Sequence, residues 1–255
     1  MTVKSHRLMD TLALPARLSP GALDLVKILA LLAMILDHTN TLLLRPLMPE
    51  LYAVGRMAFP LFAVIWAVNV YRNPTRLQHR ANRLWLWGLV TQPVFFLAFR
   101  DTDPWYALNI LFVFAGVTQL LALHYHHGYA GLAAGLLILA LMVYPLTPAS
   151  YGLQGIILAG SLALFFKGTG WICLPAAVAA GAALFLLNGA SHLYSQPLAT
   201  LVFAVLPTML LPLMAIQLAD HLKPAGSGRF MPRHFFYVTY AGHLLLLWLV
   251  KFMLA

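Results

Sequence analysis

The stretch "DLVKILALLAMILDHTN" (residues 24–40) decides the fold. It is an apolar run near the ~20 residues that a bilayer needs. It nevertheless carries Lys27 near one end and adjacent Asp37 and His38 near the other. Similar runs fill the chain: 62% of its 255 residues are hydrophobic and 9% are charged. A typical soluble domain is about one-quarter charged, and a soluble fold could not hide this much apolar surface. The long continuous runs exclude a membrane β-barrel, whose segments are short and alternating. The expected class is all-α: a polytopic membrane helix bundle. About nine spans are expected, at 23–43, 52–71, 84–99, 106–124, 129–147, 152–167, 170–188, 198–219 and 235–254. Residues 1–20 read as a cytoplasmic lead-in and 21–255 as one transmembrane domain. The first twenty residues lack the apolar core of a cleaved signal peptide. The single cysteine, Cys173, cannot form an intrachain disulfide.

Charge asymmetry orients such a bundle. With the N-terminus inside, the inner segments hold Lys4, Arg7, Arg17, Lys27, Arg72, Arg76, Arg80, Arg83, Lys167, Lys223, Arg229 and Arg233. The outer segments hold Arg45, Arg100 and Lys251, so a cytoplasmic N-terminus is expected. The formal net charge of +9 is then a topology signal and not a nucleic-acid signal.

Ionisable groups within spans are costly and usually face the interior or a water-filled cavity. Asp37, His38, Arg56 and His243 stand out. The turn between the first two spans is short, so Asp37, His38 and Arg56 can meet. Asp37 can pair with Arg56 or orient His38; adjacent residues project ~100° apart on a helix, and both options stay open. The bland alternative is an ion pair that only fixes packing. His243, with Tyr237 and Tyr240 on its side of the last span, reads as a second wall of a polar cavity or as a buried aromatic cluster.

Lys27 and His38 lie eleven residues apart, almost three whole turns, and share a helix face. The rise between them is ~16 Å. An extended ligand with an anionic head and a reactive tail matches this spacing, and coenzyme A has that shape. A snorkelling anchor is the simpler role for Lys27. The basic run "RNPTRLQHRANR" (72–83) adds Arg76, Arg80 and Arg83 as candidates for a phosphate-binding rim. It also fits an ordinary positive-inside loop. "HYHHG" (124–128) lacks a second ligand set nearby, so no metal is expected. Asn109, Tyr151 and Tyr240 are candidates for substrate contacts, and helix capping or packing explains Asn109 and Tyr151 as well.

Six pieces occur in order: "DLVKILALLAMILDH", "VGRMAFPLFAVIWAVN", "NRLWLWGLVTQ", "LNILFVFAGVTQLL", "SYGLQGI" and "FFYVTYAGHLLLL". Together they resemble the TraX family of conjugation proteins, from about residue 20 to the end. The resemblance implies an acetyltransferase of the bacterial inner membrane, serving a type IV secretion system. It implies acetyl-CoA as co-substrate and the N-terminal amine of processed pilin as acceptor. It also implies kinship with the wider transmembrane acyltransferases, in which a first-span basic residue precedes His by eleven positions. Here that pair is Lys27 and His38, although the wider pattern more often has Arg first. Related proteins of the TrbP group accompany cyclic pilins, so maturation other than by acetylation is the alternative. A proton-coupled transporter and a non-catalytic assembly factor are the competing classes, and a homodimer is left open. On the acetyltransferase reading, His38 is the general base and Lys27, Arg76, Arg80 and Arg83 hold the phosphates. Asp37, Arg56 and His243 complete the catalytic group, and an acetyl-His intermediate is a variant.

Overall fold

Ser19 begins the helix that organises the molecule. Its side-chain oxygen accepts from the Ala22 N–H at 3.1 Å and donates to the Lys223 carbonyl at 3.0 Å. Pro20 follows in the first turn, where a missing N–H costs nothing. The computed structural model describes residues 11–168, 170–188, 192–223, 225–232 and 234–254. Lys4, Arg7 and Arg233 of the expected inner charge set, and residues 1–10 of the lead-in, lie outside them.

All regular structure among the described residues is helical. A short α1 (Thr11–Arg17) meets α2 (Pro20–Leu43) at 113°. Then come α3 (Pro49–Gly55), α4 (Ala58–Arg72), α5 (Leu77–Phe99) and α6 (Leu111–Leu146). The rest of the chain forms α7 (Gly152–Lys167), α8 (Cys173–Leu186), α9 (His192–Ser195), α10 (Pro197–Thr200), α11 (Leu206–Leu222) and α12 (Phe235–Leu254). A π-helical stretch, Leu201–Val205, joins α10 to α11.

Helix α4 is central: Leu61, Ala63, Ala67 and Val68 are fully buried. Its small residues let α2 and α7 pack closely, the usual device of membrane helix contacts. Helix α12 closes the other side against α2 and α5.

The 36 residues of α6 would span about 54 Å as one rod, far more than a ~30 Å hydrocarbon core. They do not form one rod. Gly128 takes φ 57° and ψ −134°, and the chain folds back there. Gly135 packs on Leu120 so closely that a Cβ would lie 2.7 Å from the Leu120 Cα. Gly116 likewise faces Leu139 and Met142. The two expected runs 106–124 and 129–147 are thus the arms of a helical hairpin. His124 donates from its ring to the Gly128 carbonyl at the bend, 3.1 Å away.

Among the described residues, four helical stretches are long and apolar enough to cross a membrane: Pro49–Arg72, Leu111–Leu146, Pro197–Leu222 and Phe235–Leu254. The bent pair α1–α2 makes a fifth. The nine expected runs all contain helix, but not as nine uninterrupted helices of bilayer length. Helix α5 starts seven residues before its expected span and takes Arg80, Asn82 and Arg83 into its length. Helices α7 and α8 have 16 and 14 residues and are apolar but short. The second run breaks after Gly55, and the break sets Arg56 between α3 and α4.

Candidate functional site

Two cavities lie along the face of α2 that Lys27 and His38 share. The first, about 710 Å³, is lined by Lys27, Arg76, Arg80, Arg83 and Arg229. His79 and His234 add imidazoles, and Trp66, Phe114 and Tyr237 supply aromatic walls. The second, about 510 Å³, is lined by Asp37, His38, Arg56, Asp103, Tyr151 and Gln154. Met34, Phe62, Ile110 and Tyr240 line both cavities and form the partition between them.

In the first cavity the cations are poorly matched by anions. Arg80 Nη1 and Arg83 Nε are buried and have no hydrogen-bond partner among the described residues. A buried donor without an acceptor is costly, so these groups fit an anion contributed from outside the chain. Lys27 differs. Its ammonium is 2.7 Å from Asp24, one turn earlier on α2, and 5.4 Å from the Phe236 ring centroid. Asp24 is fully buried and its other oxygen accepts the N–H groups of Phe230 and Met231, each at 3.1 Å. One carboxylate therefore neutralises Lys27 and pins the segment that carries Arg229 and His234 into the cavity.

Most charged groups of the second cavity are paired within it; Asp103 is the exception. Asp37 accepts from Arg56 at 2.5 Å, which resolves the two options for Asp37 in favour of Arg56. Gly55 makes this possible: a Cβ there would lie 2.5 Å from the Asp37 carboxylate. Arg56 also donates to Asn188 at 3.0 Å and lies 4.1 Å over the Tyr52 ring. Asn188 in turn donates to Thr208.

His38 is served by His243 instead. His38 Nδ1 and His243 Nε2 are 2.8 Å apart, and His243 Nδ1 is 3.0 Å from the Thr239 carbonyl. A carbonyl only accepts, so His243 Nδ1 carries a proton. In the neutral ring Nε2 then accepts, and His38 Nδ1 donates to it. That leaves the lone pair on His38 Nε2, the form a general base needs. Phe99 meets the His38 ring edge-on at 5.2 Å, and Tyr240 lies 5.7 Å from His243.

Tyr151 takes the left-handed backbone conformation before α7, stacks on Phe59 at 4.8 Å and lines the second cavity. Tyr240 stands in the partition. Asn109 is different from both: it lines neither cavity. It is fully buried, donates to Gly88 and Gln92 at 2.9 Å, and accepts from the Leu111 N–H at 3.1 Å. It shapes the start of α6. The reading of residue types alone missed Asp24 as the partner of Lys27, Arg229 and His234 as cavity walls, Asp103, and Asn188.

Known proteins give the chain a family. The family model described as TraX protein matches residues 22–251. A Protein TraX of Escherichia coli is 35% identical over 231 residues, covering 90% of this chain and 87% of that protein. A Protein TraX of Escherichia coli strain K12 is 39% identical over 140 residues, covering 55% of this chain and 54% of that protein. No solved structure matches. The family match takes in Lys27, Asp37, His38, Arg56, Arg83 and His243 alike, and the chain belongs to the TraX family.

Proposed function

We propose that this chain is a multi-pass acetyltransferase of the bacterial inner membrane, acting in conjugation. It transfers acetyl from acetyl-CoA to the N-terminal amine of a processed pilin subunit. The observation that carries the reading is the pair of adjacent cavities that share Met34, Phe62, Ile110 and Tyr240. One has buried, unpartnered Arg80 and Arg83 donors. The other has a histidine whose free nitrogen is fixed by a second histidine and a backbone carbonyl. The family resemblance supplies the pilin and the donor.

In this mechanism the N-terminus is cytoplasmic and the first cavity opens to the cytoplasm. Arg80 and Arg83, with Arg76 and Arg229, hold the phosphates of acetyl-CoA, since guanidinium suits phosphate oxygens. The arm passes Met34, Phe62, Ile110 and Tyr240, which brings the thioester near His38. The α-ammonium of the acceptor loses one proton to solvent through His38. A second goes to His38 Nε2 as the nitrogen attacks the thioester carbonyl. The C–N bond forms, the C–S bond breaks, and His38 returns that second proton to the departing thiolate. His243 holds the tautomer of His38 and disperses the charge on the imidazolium. Arg56 is engaged by Asp37 and Asn188, so Tyr151 and Tyr240 are the better candidates to stabilise the oxyanion.

The test is purified protein in lipid nanodiscs, assayed for CoA binding and for acetyl transfer to a pilin peptide. Pilin mass is compared in cells with the protein, without it, and with His38→Ala. Acetylation that needs both the protein and His38 supports the reading. Unchanged pilin mass in all three strains overturns it. A mass change other than that of acetyl would favour a different maturation step.

A further inference from the structure

The second cavity has one charge that nothing in it balances. Asp37 and Arg56 neutralise each other, and the hydrogen-bond chain through His38 and His243 can form with both rings neutral. Tyr151 and Tyr240 complete the titratable groups of the lining. Asp103 remains. It comes from the short loop after α5, and its carboxylate has no hydrogen-bond or ion-pair partner among the described residues. The contrast with the other acid of that loop is sharp. Asp101 lies outside the cavity, 2.8 Å from Lys251 and 3.6 Å from Arg100.

The position of Asp103 is also fixed. Its N–H donates to the Phe99 carbonyl at 2.8 Å, and the Thr102 N–H donates there at 2.9 Å. Phe99 is the residue whose ring meets His38 edge-on. The backbone turn that holds Asp103 is therefore built on the residue that packs against the proposed base. A chain that buries half of an unpaired carboxylate beside a polar cavity lowers its own stability. Such residues are characteristic of binding sites.

We propose that Asp103 is the binding residue for a cationic primary amine, and that it holds the α-ammonium group of the acceptor beside His38. The proposal rests on the acetyltransfer reading for the identity of the acceptor, but the binding itself needs no donor. An ammonium ion is the complement this cavity lacks: a cation with N–H donors, small enough to enter a space of about 510 Å³. Once Asp103 has captured it, His38 takes the proton that the nucleophile must lose. The carboxylate binds the charged form and the histidine releases the reactive one.

Burial pushes the Asp103 carboxyl up to about 6. The free protein therefore has a neutral cavity below that pH and an anionic one above it. An α-amino group is cationic below its ordinary value of roughly 8. Binding of the amine should peak between these two limits and fall on both sides.

The experiment is equilibrium binding to the full chain in nanodiscs, without acetyl-CoA, using tetra-alanine amide and its N-acetylated form. Wild type should prefer the free amine by roughly tenfold, the scale of a charge-assisted contact, with a maximum between about pH 6 and 8. Asp103→Asn should erase the preference and the low-pH limb, and Asp103→Glu should restore part of it. Asp101→Asn should leave the preference intact. Thermal unfolding in nanodiscs verifies that Asp103→Asn is folded. Absence of any amine preference in wild type overturns the proposal, and so does a preference that survives in a folded Asp103→Asn. Acetyl transfer is read separately. Amine binding that depends on Asp103 without acetyl turnover would sink the enzyme reading and leave this one standing.

Discussion

The two cavities share Met34, Phe62, Ile110 and Tyr240, yet they treat charge in opposite ways. The basic cavity leaves Arg80 and Arg83 donors unpaired in the interior. The histidine cavity pairs Arg56 with Asp37 and links His38 to His243. Elementary electrostatics gives the difference a meaning. A charge left unmatched inside a protein awaits a partner from outside, whereas a matched pair supports the structure around it. By that rule the first cavity is built to receive an anion. The second holds a histidine in one protonation state, and its single unmatched charge, Asp103, is of the opposite sign.

The largest effect should follow from removing that histidine. His38→Ala should lower acetyl transfer by about 10²–10⁴-fold, the range of a general base, while CoA affinity stays near wild type. Transfer assays and CoA titrations on one preparation check both halves. Loss of CoA binding in step with activity would mean that the cavities are one site, and the comparison would break.

The next effect tests whether the Arg56–Asp37 pair is structural. Arg56→Ala leaves the Asp37 carboxylate, 19% exposed, without its partner. Removing one member of a buried pair costs about 3–5 kcal/mol. Replacing both, as Asp37→Asn with Arg56→Gln, should cost much less than Arg56→Ala alone. Thermal unfolding in nanodiscs separates the two outcomes. Gly55→Ala should act in the same direction, because its Cβ would occupy the space of the Asp37 carboxylate.

In the basic cavity, Arg83→Gln should weaken CoA binding by about 10–100-fold, the scale of a hydrogen bond to a charged group. The loss should shrink at high salt as screening weakens the wild-type contact. A variant that binds CoA as tightly as wild type would remove the assignment of this cavity to phosphate.

Much of this was legible in the chain because helices translate spacing into geometry. Eleven residues put Lys27 and His38 on one face of α2, and each now lines its own cavity. The basic run 72–83 gave Arg76, Arg80 and Arg83. The two apolar runs on either side of "HYHHG" are the two arms of α6. What stayed hidden depends on tertiary contact. His38 and His243 bond across 205 positions, and no local pattern says which distant helix will face the first. Arg229 and His234 enter the basic cavity because Asp24 anchors the segment before α12. The number of spans is not fixed by apolarity alone. Apolar runs mark helix, but α5, α7 and α8 depart from bilayer length or apolarity through polar residues and tight turns. Asp24 is the instructive omission: it precedes Lys27 by three positions, and residues three apart on a helix are neighbours.

That omission sets the smallest expected effect. Lys27 lines the basic cavity, but its ammonium already sits 2.7 Å from Asp24. A phosphate must compete with that carboxylate, whereas at Arg80 and Arg83 it meets donors with no partner. Lys27→Gln should therefore weaken CoA binding several-fold less than Arg83→Gln under the same conditions. Its main consequence should be local, because Asp24 would keep the Phe230 and Met231 N–H groups but lose its cation. Paired titrations of the two variants decide the matter. A loss at Lys27 equal to that at Arg83 would mean that the ligand pulls Lys27 away from Asp24. The basic cavity would then be charged by binding instead of beforehand, and the contrast with the histidine cavity would lie in its bound state alone.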